Sequence, residues 1–219
     1  MINIKKFLKD NADYEYARFN EKFISTRYKI VGVRLPALQK FAKDIEPEYI
    51  ELEDADLYHE EILLYGYAAG LIKNEDEQLE YLENILPYID NWCTCDCIVS
   101  SLKKLTGEKS YQYFSNLLKD NREFYVRVGI VSMMRNFMKT DHLFEILKDL
   151  RAIKNDAYYI KMAKAWFYAE LCVFNSEIAK EEISKIDDKF ARNKAISKAK
   201  ESFRVSLQVK EELEKLKLK

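Results

Sequence analysis

Apolar residues recur at intervals of three and four almost throughout the chain, and few segments show the alternation of a β-strand. The pattern predicts an all-α protein. Its strongest apolar runs return at a steady interval: HEEILLYGYAAGLIK from His59, NWCTCDCIVSSLKK from Asn91, FYVRVGIVSMMRNFMK from Phe124, YYIKMAKAWFYAELCV from Tyr158 and KFARNKAISKAKESF from Lys189. The starts lie about 31 to 34 residues apart, the length of a helix-turn-helix repeat that hides its apolar face only by stacking on a neighbour. Shorter, more polar segments such as EDEQLEYLENIL and KSYQYFSNLLKD fall between them. The expected architecture is an α-solenoid of about six helix pairs, each with an inner and an outer helix.

Composition agrees with this reading. Five glycines and three prolines in 219 residues are few, and Pro36 in VRLPALQKF suits the first turn of a helix, where its missing N–H is not needed. No linker rich in Pro, Gly or Ser divides the chain, so one domain is expected over residues 1–219, with a basic C-terminal helix near 189–205. No apolar run approaches the roughly 20 residues that span a bilayer. The start, MINIKKFLKD, lacks a long apolar stretch followed by a small-residue cleavage site. A soluble, cytoplasmic monomer without a membrane partner is the expectation. The four cysteines, three of them at positions 93, 95 and 97, do not form a spaced disulfide framework, so reduced thiols are expected.

The formal net charge of −1 hides a segregation along the chain. From Asp44 to Asp90 there are fifteen acidic residues and one basic residue, Lys73. Asn91 to Lys139 carries eight basic residues against four acidic, and Lys189 to the end carries ten against four. Such separation fits a basic side facing an anionic partner; charges decorating helix exteriors are the alternative.

Candidate chemistry begins in NWCTCDCIVSS. On a helix Trp92 and Asp96 are i and i+4 and share a face, which Ser100 and Lys103 continue. Cys93 and Cys97 share another face and Cys95 points to a third. Thiols so scattered cannot converge on one zinc ion, whose sulfur ligands stand about 2.3 Å from the metal. Nor is CxC a redox CxxC, and nothing local marks a stabilised thiolate. The cysteines therefore read as small buried hydrophobes, with no metal. Arg127 in FYVRVGIVSMMRNF lies beside an apolar stripe, and a buried arginine requires an anion, either Asp96 one repeat earlier or a ligand phosphate. Trp166 lies among Met162, Ala163 and Ala169 with Lys161 and Lys164 nearby, and is either core or a ligand platform. In register with Trp92 and Arg127, it would help line one concave wall. In ARNKAISKAKESFRVS, Lys194 and Lys198, and Lys200 and Arg204, stack as i, i+4 pairs with Arg192 close by. Like charges at that spacing repel, which phosphates lying against them would relieve; a solvated face is the alternative.

The succession GVRLPALQKFAKDI, NWCTCD, YVRVGIVSM, YYIKMAKAWFYAEL, RNKAISKAKESFRV resembles the AlkD-like DNA alkylation-repair glycosylases, which are HEAT-like repeat proteins. The likeness runs from about Arg27 to Val205, and its most specific part is the W-x-x-x-D helix with the intervals that follow. The resemblance places the catalytic aspartate on Asp96, its partner tryptophan on Trp92, the phosphate-contacting arginine on Arg127 and a second active-site tryptophan on Trp166. It implies excision of cationic alkylated purines from double-stranded DNA, without a cofactor and without drawing the base into a tight pocket. His59-Glu60-Glu61 receives no role from it. The competing expectations are a non-catalytic helical-repeat module that binds DNA structures and a protein-binding scaffold.

Overall fold

The protein was analysed as a computed structural model that describes residues 3–53 and 55–219. The first two residues of MINIKKFLKD, and Asp54 of the acidic segment, lie outside the described residues. Among those described, helices alone form the regular structure, with one isolated parallel bridge between Lys29 and Tyr58. No helix among them is long and apolar enough to cross a membrane.

The chain divides into two compact units between Ser110 and Tyr111. The first contains α1 (Ile4–Asp10), α2 (Tyr14–Asn20), α3 (Leu35–Phe41), α4 (His59–Ala69), α5 (Glu75–Ile85), α6 (Trp92–Ser101) and the start of α7 (Glu108–Leu117). The second contains the rest of α7, then α8 (Glu123–Ser132), α9 (Leu143–Ala152), α10 (Tyr158–Phe174), α11 (Ser176–Ser184), α12 (Lys189–Glu201) and α13 (Leu207–Glu214). The five apolar runs become α4, α6, α8, α10 and α12, and the polar segments between the first of them become α5 and α7. This is the element order of a helical-repeat chain, and Pro36 takes its place in the first turn of α3.

Helix starts follow from side-chain capping. Asn3, Asp13, Asn74, Asn91, Asn175, Asp188 and Ser206 each accept a backbone N–H from the first turn of the helix they precede, a contact worth about 1 kcal/mol. In the first unit α4 is buried along its whole length and packs on α3, α5 and α6. Gly66 lets α6 approach: a Cβ there would stand 2.4 Å from Ile98 Cγ1. Ser101 uses that proximity and donates from Oγ to the Gly66 carbonyl at 2.8 Å. In the second unit the long α10 packs on α8, α11 and α12 and buries Phe167 and Tyr168. Helix α8 runs on into a π-helical turn over Met133–Phe137.

Acidic side chains join segments about one repeat apart by accepting backbone N–H groups. Glu60 takes Gly32 N–H at 2.7 Å and Val31 N–H at 3.0 Å. Glu75 takes Gly107 N–H at 2.8 Å, and Glu123 takes Tyr159 N–H at 2.6 Å. Glu61 accepts from Tyr58 N–H at 2.8 Å, closing the first turn of α4. Several acids of the 44–90 segment are therefore structural acceptors, and two of the His59-Glu60-Glu61 trio acquire roles that the sequence left blank. Burial pushes the Glu60 carboxyl above its ordinary range, and the amides of Val31 and Gly32 oppose that shift.

Candidate functional site

The first unit carries Trp92 and Asp96. Asn91 caps α6 by accepting from Cys93 N–H and Thr94 N–H, both at 3.0 Å. Beside it Asp90 accepts from Thr26 Oγ1 at 2.8 Å, from Arg27 N–H at 2.8 Å and from Asn91 Nδ2 at 2.9 Å. The loop after α2 is thereby clamped to the start of α6. Trp92 adds a further tie, donating from Nε1 to the Phe23 carbonyl at 2.9 Å. This leaves the indole anchored at one edge and 36% exposed, an available face held in a fixed orientation.

One turn further along, Asp96 is half-buried. It lines an open cleft of about 510 Å³ together with Gln39, Lys43, Tyr67, Cys97 and Lys103. Ser100 also lines it and donates from Oγ to the Asp96 carbonyl at 2.5 Å. Of the stripe predicted from helical spacing, Asp96, Ser100 and Lys103 meet in this cleft, whereas Trp92 is held against the 23–28 loop. Lys103 lies beyond the C-terminus of α6.

The cysteines divide. Cys93 and Cys95 are buried as the sequence reading expects, Cys93 within an apolar cluster with Ala17, Ile24 and Ile30. Cys97 departs from it, because it lines the cleft. The Cys93 thiol donates towards the Cys97 sulfur and draws the Cys97 thiol from 9.0 down to about 7, while its own ionisation is pushed up. The expectation that nothing local stabilises a thiolate fails here, because the i, i+4 spacing that separates Cys93 and Cys97 from Cys95 also sets one thiol beside the other. Among the described residues no three His, Cys, Asp or Glu side chains gather as a metal-ligand group.

The second unit carries Arg127 and Trp166. Arg127 is buried, at 5% exposure, and donates from Nη1 to the Tyr159 carbonyl at 3.0 Å. Glu123, one turn earlier on α8, holds the N–H of the same residue. Together they grip Tyr159 from both sides and fix the start of α10. Trp166, further along α10, is half-buried. Near it Lys164 is pulled below the ordinary lysine range by burial, with the charge of Lys161 acting in the same direction against Asp156 and Asp188.

The five basic residues of the C-terminal segment differ in what they do. Arg192 donates to three carbonyls, those of Ile186 at 2.7 Å, Ser184 at 2.5 Å and Leu216 at 3.4 Å. Lys200 is paired with Glu214 and Arg204 with Glu170, each at 2.5 Å. Lys194 and Lys198 are half-buried on α12 and make no ion pair among the described residues. Lys194 borders a shallow hollow of about 500 Å³ with Lys189, Phe190, Asn193 and Ser197.

Sequence reasoning missed the clamp of Asp90, the Phe23 tether, Tyr67 and Glu123. A signal existed for the first, since Asp-Asn immediately before an apolar run marks a helix start. Tyr67 lies inside an apolar run that gives no polar cue.

These features describe a helical-repeat protein whose first unit bears a carboxylate in an open cleft and whose second unit presents uncompensated lysines. The family described as DNA alkylation repair enzyme matches residues 4–199, and the chain belongs to it. The match runs from the start of α1 into the last turn of α12 and leaves α13 outside. No curated protein and no solved structure matches the chain. Membership places the protein among enzymes that repair alkylated DNA, with DNA as the substrate.

Proposed function

We propose that the protein is a monofunctional DNA glycosylase. It excises cationic alkylated purines, of the 3-methyladenine and 7-methylguanine type, from double-stranded DNA by hydrolysis of the N-glycosidic bond. Such a base is already a cationic leaving group, so no general acid is needed to protonate it. As the bond breaks, positive charge moves to the deoxyribose. A carboxylate against that sugar stabilises the oxocarbenium-like species and orients the attacking water. Asp96 takes this part. The observation that carries the reading is its position: half-buried on the wall of an open cleft, within reach of a ligand, rather than sealed in the core.

Trp92 and Trp166 pack on sugar and backbone, their ring faces favouring a nearby cation by roughly 0.5 to 2 kcal/mol. The fixed edge of Trp92 supports this use, since the tether to Phe23 holds the ring without covering it. Arg127 takes a phosphate. Lys194 and Lys198 supply the salt-sensitive grip on the duplex. Arg192, Lys200 and Arg204 reach phosphate only by giving up contacts they already make. The protein acts as a monomer and needs no cofactor.

The test is release of free 7-methylguanine from a methylated duplex, measured against spontaneous loss. Release by the wild-type protein supports the reading. Binding that weakens with salt, without release above background, sinks it in favour of a non-catalytic DNA-binding module.

A further inference from the structure

We propose that Cys97 is a site of covalent modification by soft alkylating electrophiles, and that its adduct occupies the cleft bearing Asp96. The inference rests on four side chains meeting in the first unit. Cys97 directly follows Asp96 on α6, and both line the same cleft. Cys93, one turn earlier, belongs to the apolar cluster against which Cys97 packs. Tyr67 comes from α4, is buried at 6% exposure and lines the cleft as well. Its hydroxyl has no hydrogen-bond partner at normal geometry. An unsatisfied buried hydroxyl is rare and calls for an explanation, such as a group that is absent from the site. An adduct on Cys97 that carries an acceptor oxygen would supply one.

Reactivity follows from the same arrangement. Donation from Cys93 is the largest influence on Cys97, and burial and the charge of Asp96 oppose it. Lys43 and Lys103 line the same cleft. With its thiol drawn down to about 7, Cys97 is about half thiolate at neutral pH, against about 1% for a thiol at 9. A less basic thiolate is a weaker nucleophile, by about tenfold over this interval. The net gain in rate is therefore roughly fivefold. The other thiols lack it. Cys93 is pushed up, Cys95 is fully buried, and burial pushes Cys172 up to about 12.

In the reaction the Cys97 thiol has already lost its proton to water. The thiolate sulfur attacks the electrophilic carbon, a sulfur–carbon bond forms, and the bond from that carbon to the leaving group breaks. The leaving group departs as an anion with the electron pair, leaving a neutral thioether. Nothing is oxidised or reduced.

Iodoacetamide is the probe, applied to the native full chain from pH 5.5 to 9.5, with peptide mass spectrometry following all four cysteines. At pH 7 Cys97 should label at least about fivefold faster than each of the others, with a midpoint in its pH–rate profile near 7. Cys93→Ala should move that midpoint upward. A wild-type midpoint near 9, or labelling of Cys97 no faster than of Cys93 or Cys172, overturns the proposal. Methyl methanesulfonate should then give a single methyl adduct at the same residue; methylation spread evenly over the thiols counts against it. Labelled wild type should lose base release while Cys97→Ser, treated identically, keeps it; equal retention by both refutes occupation of the cleft. Should the untreated protein release no base, the glycosylase reading fails while the labelling pattern still decides the thiol.

Discussion

His59 opens α4 with its imidazole buried at 3% exposure and Nδ1 without a hydrogen-bond partner. Burial lowers its pKa from 6.5 to about 4, and the nearby charge of Asp90 offsets only part of that. The unfolded chain takes up this proton below about 6.5, whereas the folded protein takes it up only near 4. Stability is therefore complete above 6.5 and is lost progressively as the pH falls towards 4. At 1.36 kcal/mol per pH unit, the loss comes to about 3 kcal/mol, a sizeable part of the roughly 5 to 15 kcal/mol that holds a domain folded. His59→Leu, close in volume and unable to titrate, should remove this component. The assay is urea unfolding followed by circular dichroism from pH 7.5 to 4.5. Carboxylates held low by their partners, such as Asp13, Asp120 and Asp188, add an acid slope to both proteins, so the difference between the two curves is the readout. Wild type should lose about 2.5 kcal/mol more than His59→Leu across that range, most of the full amount. Parallel curves would show that the imidazole is not kept neutral by burial.

Other residues give equally direct tests. Gly66→Ala should destabilise the protein by about 1 to 3 kcal/mol in the same unfolding assay, because the new Cβ meets Ile98 in the contact between α4 and α6. Lys194→Ala with Lys198→Ala should reduce the slope of log K against log salt for duplex binding by about 2 and leave the melting temperature unchanged. Arg192→Ala should do the reverse, lowering the melting temperature and sparing the slope, since its donors serve carbonyls of its own unit. Trp92→Phe keeps an aromatic face but loses the Nε1 bond to Phe23. It should cost about 1 kcal/mol of stability and retain more base release than Trp92→Ala; equal losses would mean that the tether matters rather than the ring.

The repeat was legible because burial of one helix face leaves a period in the sequence. His59, Tyr158 and Lys189, chosen as starts from apolar spacing alone, are the first residues of α4, α10 and α12. The pairing of Cys93 with Cys97 was equally legible, since i and i+4 share a face of any helix. Periodicity reports only the face a residue occupies, not what comes to meet it. The Trp92 tether joins residues 69 apart. The Glu60 cradle depends on a turn in which Gly32 adopts φ +91°, a conformation set by the path of the loop. Arg127 shows the same gap. Its burial was foreseeable from the apolar stripe beside it, but its hold on the Tyr159 carbonyl comes from how α8 meets α10. The basic C-terminal segment looked uniform as sequence. Only the carbonyls and carboxylates around it separate Arg192, Lys200 and Arg204 from Lys194 and Lys198.

The role proposed for Asp96 is to stabilise positive charge on the sugar during excision. Single-turnover release of 7-methylguanine from a methylated duplex, comparing wild type with Asp96→Asn at matched DNA occupancy, addresses it most directly. Asparagine keeps the size and polarity of the side chain and removes its charge. The excision rate should fall by at least about a hundredfold, equivalent to about 2.7 kcal/mol, with unchanged DNA affinity. An Asp96→Asn protein that releases base as fast as the wild type would contradict it.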